Sequence, residues 1–226
     1  MVTHSKSWWN NTVYIICYGV INFLLMSSLT YYATYILGST SAATMIQASF
    51  LMASIISSFF VSILDKRFGR SRCMMLAVTI ALIGKLWFII HPNSIGAIYV
   101  NAVTVGISVT FAYVLFNTNR SNIVDIIEAS YGRRIDSMIV TTDNLASKLI
   151  TAGVTLLSTF LLSNAGYNAN LTDQPKSVIS IVNIMLGVAP AFASVIMLVA
   201  AFLIPIETEY DNAKQKLSGY TLALGK

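Results

Sequence analysis

The sequence predicts an all-α membrane protein of six transmembrane helices. Three observations predict it: long apolar blocks, few charges, and basic residues gathered in alternate connections. Of 226 residues, 56% are hydrophobic and only 10% are charged, against about 25% charged in ordinary soluble domains. With a mean hydropathy of +0.71, the chain carries more apolar surface than a water-soluble core of this size can hide. A helix needs about 20 apolar residues to cross about 30 Å of hydrocarbon, and lipid offers no partner to unpaired backbone groups, so the blocks are read as helices.

In chain order the helices are expected over about residues 12–36, 43–64, 72–90, 95–115, 137–162 and 178–206. The first block runs for about 25 residues without a small-residue cleavage site, which favours a retained helix over a signal peptide. Leu37-Gly38-Ser39 closes it, His91-Pro92-Asn93-Ser94 separates the third and fourth helices, and the turn-forming stretch Asn164 to Ser177 separates the fifth and sixth. Residues before about 12 and after about 206 are read as a lead-in and a tail in water.

Orientation follows from lysine and arginine. Lys6, Lys66, Arg67, Arg70, Arg72, Arg120, Arg133, Arg134, Lys214, Lys216 and Lys226 fall on one side, which accounts for eleven of the 14 basic residues. Lys176 alone falls on the other, and Lys85 and Lys148 fall inside helices. Both termini are therefore expected in the cytoplasm, with the chain a multi-pass protein of the cell membrane in contact with lipid. The net charge of +5 is spread over short loops rather than one face, which argues against nucleic acid. Cys17 and Cys73 form neither a C-x-x-C pair nor a secreted framework and read as packing residues.

Lys148 is the strongest chemical signal, because an ammonium deep in a span is expensive and normally faces a polar cavity or a partner. It follows Ser137 by about 11 residues, near midplane. Asn144 lies one turn away on the same face; Asp143 is roughly 140° round the helix, so it is a poor direct partner and reads either as a cavity group or as a shallow interfacial one. Lys85 lies close to the outer end of its helix, where snorkelling to water is the favoured reading. In the first helix Asn22, Tyr31 and Tyr32 belong to a polar outer half that could line a sugar path or form an interfacial aromatic belt. Ser54, Ser58 and Ser62 recur every four residues and read as a packing stripe. No catalytic motif is present. His4 and His91 are the only histidines and fall on opposite sides of the membrane, so no enzyme, metal site or cofactor is expected.

Asp125-Ile126-Ile127-Glu128-x-x-x-Gly132-Arg133-Arg134-x-Asp136, then Lys148, then Gly166-Tyr167-x-x-Asn170-x-x-x-Gln174 resemble, in order and spacing, the glycoside-pentoside-hexuronide cation symporters, the melibiose permease group. Lys6-Ser7-Trp8-Trp9, Tyr31-Tyr32-x-x-Tyr35-x-x-Gly38, Arg67-Phe68-Gly69-Arg70 and Pro205-Ile206-Glu207 extend the resemblance from residue 5 to about residue 212. Asp65 stands one residue farther from the glycine than the aspartate of the wider superfamily's D-R-x-G-R turn, so it is not assigned that gating role.

The resemblance implies the carboxyl half of a major-facilitator fold, a three-plus-three inverted repeat divided at His91 to Ser94. It implies a secondary transporter for sugars or glycosides coupled to sodium or protons. Lys148, Asn144, Asp143, Asn22, Tyr31 and Tyr32 would lie at the substrate and cation cavity. Asp125, Glu128, Arg133 and Arg134 would be cytoplasmic gate contacts, although that segment also reads as a solvated amphipathic stretch. The family's amino half supplies the cation-binding acidic residues, so the expected partner is an amino-terminal six-helix half. The alternatives are a homo-oligomer transporting by itself, and a non-transporting remnant or scaffold.

Overall fold

The computed structural model describes residues 6–132, 136–171, 173–204 and 209–215, the side chain of Tyr131 excepted. Over these residues the protein is an all-α membrane protein with six helices long and apolar enough to cross a bilayer. In order these are α1 (Lys6–Tyr35), α2 (Thr40–Phe68), α3 (Arg70–Ile90), α4 (Ile95–Tyr131), α5 (Asp136–Asn164) and a sixth span made of α6 (Lys176–Asn183), a π-helical turn (Ile184–Val188) and α7 (Ala189–Phe202).

The π turn has a local cause. Pro190 has no N–H to give the carbonyl four residues back, and its ring crowds that carbonyl. The ladder widens instead, and Ala189 N–H bonds to the Ile184 carbonyl. The sequence reading treated this span as one regular helix, although Pro190 marked the place.

α4 also differs from the expectation. It continues well past residue 115, because Phe116 to Tyr131 contains neither glycine nor proline, and it stops where Gly132 adopts φ +67° and donates its N–H to the Glu128 carbonyl at 2.8 Å. Asp125 and Glu128 therefore sit on a helix that overshoots the hydrocarbon, not in a loop.

Packing divides the helices into a centre and two flanks. α3 and α4 lie along each other, α4 also packs on α2, and α1 packs on α7, α4 and α5. The apolar windows of α2 and α5 are only 22% and 17% buried, against 44–50% for the other four spans. The core, with Tyr14, Leu25, Met74, Val78, Phe88, Ile98, Leu115 and Leu186, thus comes mainly from α1, α3, α4 and the sixth span.

The α2–α4 crossing is close because Gly106 has no side chain. A Cβ there would stand 2.5 Å from the Phe50 carbonyl oxygen. Ser54 donates to the Gly106 carbonyl at 3.1 Å, and Thr110 donates back to the Ser54 carbonyl at 3.2 Å. The buried stripe of α2 is Ile46, Phe50, Ser57 and Val61, with Ser54 beside it. Ser58 and Ser62 are exposed, which corrects the reading of a Ser54-Ser58-Ser62 packing stripe: spacings of three and four residues together follow the helix face, whereas a strict spacing of four drifts off it.

Candidate functional site

α5 is amphipathic inside the membrane. Thr141, Asn144, Ser147, Lys148, Thr151 and Thr155 are all exposed and fall within an arc of roughly 120° at 100° per residue. Leu145, Leu149, Leu156 and Phe160 expose an adjoining apolar arc. Lys148 is twelve residues from the start of α5 at Asp136, about 18 Å along the axis, so its charge sits at mid-depth with Asn144 one turn away. Hydrocarbon suits the leucine arc and not the lysine arc.

α5 crosses α1 at Gly19, where a Cβ would meet Ile150 Cγ2 at 3.6 Å. That crossing brings Lys148 to the depth of Tyr18, with Asn22 about one turn farther along α1. Asn22 is half-buried and lines an open groove of about 370 Å³ between α1, α2 and α4, with Tyr18, Gln47, Thr110 and Tyr113. The Tyr18 and Tyr113 rings stand 6.2 Å apart. Flat rings beside amide and hydroxyl groups match the two needs of sugar binding, stacking and hydrogen bonding. The sequence reading named Asn22 and missed Tyr18, Gln47 and Tyr113, whose signal was their polarity within apolar blocks.

The two other tyrosines named from the sequence part company. Tyr31 is half-buried and packs edge-on against Tyr167 at 5.3 Å, beside the Tyr35–Tyr167 hydroxyl pair at 3.2 Å. That hydrogen bond, more than burial, pushes the Tyr167 hydroxyl up to about 12. Tyr32 is fully buried, and its hydroxyl donates to the Pro92 carbonyl at 2.8 Å. In this chain it ties α1 to the α3–α4 turn and does not reach the groove.

Asp143 is 5% exposed and lies on the inner side of α5, away from Lys148. Neither carboxylate oxygen has a hydrogen-bond partner among the described residues. Lys85 is fully buried and its Nζ is likewise unpaired there, which corrects the snorkelling reading. It shares the inward stripe of Met74, Ala77, Val78, Ala81 and Phe88, a spacing visible in the sequence that outweighs closeness to the helix end.

Six spans, a polar face at mid-depth and a sugar-compatible groove agree with a comparison against known families: the model described as MFS/sugar transport protein matches residues 3–208. The chain belongs to this sugar transporter family. No curated protein matches it.

At the charged end of this MFS/sugar transport protein, Asp65 pairs with Arg70 at 3.5 Å across the turn at Gly69. Ser71 donates to the Ala201 carbonyl at 3.2 Å, Asn10 donates to the Leu203 carbonyl at 2.7 Å, and Ser7 donates to the Glu209 carboxylate. The first two bonds fasten α3 and α1 to the end of α7, and the third ties α1 to Glu209 beyond it. Asp125 and Glu128 stand on the last turns of α4, and each has an interaction partner; Arg133 and Arg134 lie outside the described residues. At the opposite end, Gln174 Nε2 donates to the Asn168 carbonyl at 2.7 Å and the Leu171 carbonyl at 2.9 Å. The glutamine of the G-Y-x-x-N segment therefore organises its own loop.

Proposed function

We propose that this chain acts as the carboxyl half of a sugar or glycoside transporter coupled to sodium or protons, of the glycoside-pentoside-hexuronide kind. In this reading it resides in the cell membrane with both termini in the cytoplasm, and its substrate path runs between the polar face of α5 and the α1–α2–α4 groove. The observation that carries the reading is the exposed Lys148, within a polar arc at mid-depth. An ammonium exposed to hydrocarbon costs at least about 2.5–3.5 kcal/mol, so water or another protein must cover that arc.

A second six-helix half is the covering partner that fits. Two such halves rock about a midplane site and expose it to each side in turn. A second copy of this chain fits less well, because it would bring another Lys148 to the same cavity while Asp143 stays buried on the inner side of α5. The partner best suited supplies carboxylates. Sugar hydroxyls then bond to Lys148, Asn144 and Asn22 while a pyranose face lies on Tyr18 or Tyr113. The coupling cation favours the sugar-binding arrangement by its difference in affinity between the two states.

The test is reconstitution in proteoliposomes, with and without a compatible amino half from this family, measuring uptake of radiolabelled methyl glycosides under a sodium or proton gradient. Uptake is expected only with both halves. Gradient-driven uptake by the chain alone would refute the half assignment and put the homo-oligomer first.

A further inference from the structure

We propose that Asp143 is a proton-binding carboxyl group inside the six-helix unit, neutral in the arrangement described above and ionised when Arg120 of α4 closes onto it. Its place in coupling rests on the transporter reading, whereas its protonation does not.

Among the described residues Asp143 is the one buried carboxylate; Asp65, Asp125, Glu128 and Glu209 are half-buried, and Asp136, Asp173 and Asp211 are exposed. It lies seven residues into α5, about 10 Å, with neither oxygen hydrogen-bonded among the described residues. A carboxylate without partners in such a place is strongly disfavoured, and taking up a proton is the smallest change that removes the charge.

Among the described residues the charged groups around it are few. α1 carries none except Lys6 at its start. α4 presents Arg120, whose guanidinium attracts the carboxylate electrostatically without an ion pair. Beside Arg120, Asn119 is fully buried and donates to Asn11 Oδ1 at 3.3 Å, leaving its own Oδ1 unused. α6 brings Lys176 at the opposite end of the bundle, and on α5 itself Asp136 lies two turns away and Lys148 on the outer face.

The Gly19–Ile150 crossing sets Asp143 level with Thr12, next to Asn11, so one polar layer joins α1, α4 and α5. That layer holds a spare acceptor in Asn119 Oδ1 and one guanidinium to pair with the anion. On ionisation the proton passes to water at the charged end of the bundle, and the carboxylate is left to Arg120. A metal cation would have to sit beside that guanidinium. No group of three acidic, histidine or cysteine residues that could hold a metal occurs among the described residues.

The test is infrared difference spectroscopy of the purified chain in lipid nanodiscs, titrated from about pH 4 to about pH 9 so as to begin near the ordinary aspartate range. A protonated-carboxyl C=O band should titrate with pH, vanish in Asp143→Asn, and ignore sodium at fixed pH. Arg120→Gln should move its midpoint up by at least about one pH unit, a tenfold change in proton affinity, and Arg120→Lys should restore most of the wild-type midpoint. Absence of an Asp143-dependent band, or its displacement by sodium at constant pH, would overturn the proposal. Neither readout involves transport, so either failure is distinct from failure of the transporter reading.

Discussion

The hydroxyl of Tyr32 donates to the carbonyl of Pro92 at 2.8 Å, and the bond joins the carboxyl end of α1 to the α3–α4 turn. The ring stands 5.6 Å from Phe88, so the tyrosine is held by its apolar body and its polar tip together. Removing the hydroxyl keeps the packing and leaves the carbonyl without this donor. Tyr32→Phe should therefore lower stability by about 1 kcal/mol, read as a lower melting temperature of the purified protein in detergent. An unchanged melting temperature would mean that water satisfies Pro92 equally well.

The close approach of α2 and α4 gives a prediction of opposite signs for one kind of substitution. At Gly106 a methyl group would stand 2.5 Å from the Phe50 carbonyl oxygen, a backbone atom that cannot turn aside. Gly106→Ala should destabilise by about 1–3 kcal/mol through overpacking. At Gly153 on α5, nothing lies within 4 Å of the added methyl, and Gly153→Ala should stabilise by roughly 0.5–1 kcal/mol through helix propensity. Parallel melting curves decide it; a shift of the same sign in both variants would contradict the crossing geometry.

What the sequence made legible follows from what lipid enforces. Span number rests on the penalty for unpaired backbone groups in hydrocarbon, which acts locally and leaves a local trace, and the shared face of Lys148 and Asn144 follows from their four-residue spacing. Residues whose role is set by a neighbouring helix left less. Tyr32 and Tyr31 are adjacent in the sequence, yet one is bonded to Pro92 and the other packs on Tyr167. The extension of α4 through Asp125 and Glu128 was obscured because a hydropathy window ends at the membrane boundary while the helix does not. Pro190, by contrast, was a readable signal for the π turn.

Lys85 tests the difference between a buried amine and a surface one. It is fully enclosed by α3 and its neighbours, with no hydrogen bond or ion pair among the described residues. A group that gains nothing from its surroundings is better replaced by an apolar one of similar shape. Lys85→Met should raise stability by at least about 1 kcal/mol and improve membrane insertion, measured as melting temperature and as the membrane-inserted fraction. A lower melting temperature would show that the amine has a partner.

The final prediction concerns Lys148, which is exposed on α5 where Lys85 is enclosed on α3. Both substitutions to an apolar residue should favour insertion, but they should differ in function. In a complex with a compatible amino half, Lys148→Leu should abolish gradient-driven sugar uptake. Lys148→Arg should retain sugar binding and couple poorly, because guanidinium is bulkier and does not give up its proton. Cysteine substitution separates a cavity role from a lipid-facing one without relying on transport. The two native cysteines, Cys17 and Cys73, are buried, so labelling of Lys148→Cys by a membrane-impermeant maleimide reports water at that position. In the complex Lys148→Cys should label readily and its neighbour Leu149→Cys, on the apolar arc, should not. Equal labelling of the two, or normal coupled uptake by Lys148→Leu, would remove Lys148 from the substrate path and leave it as a contact between helices.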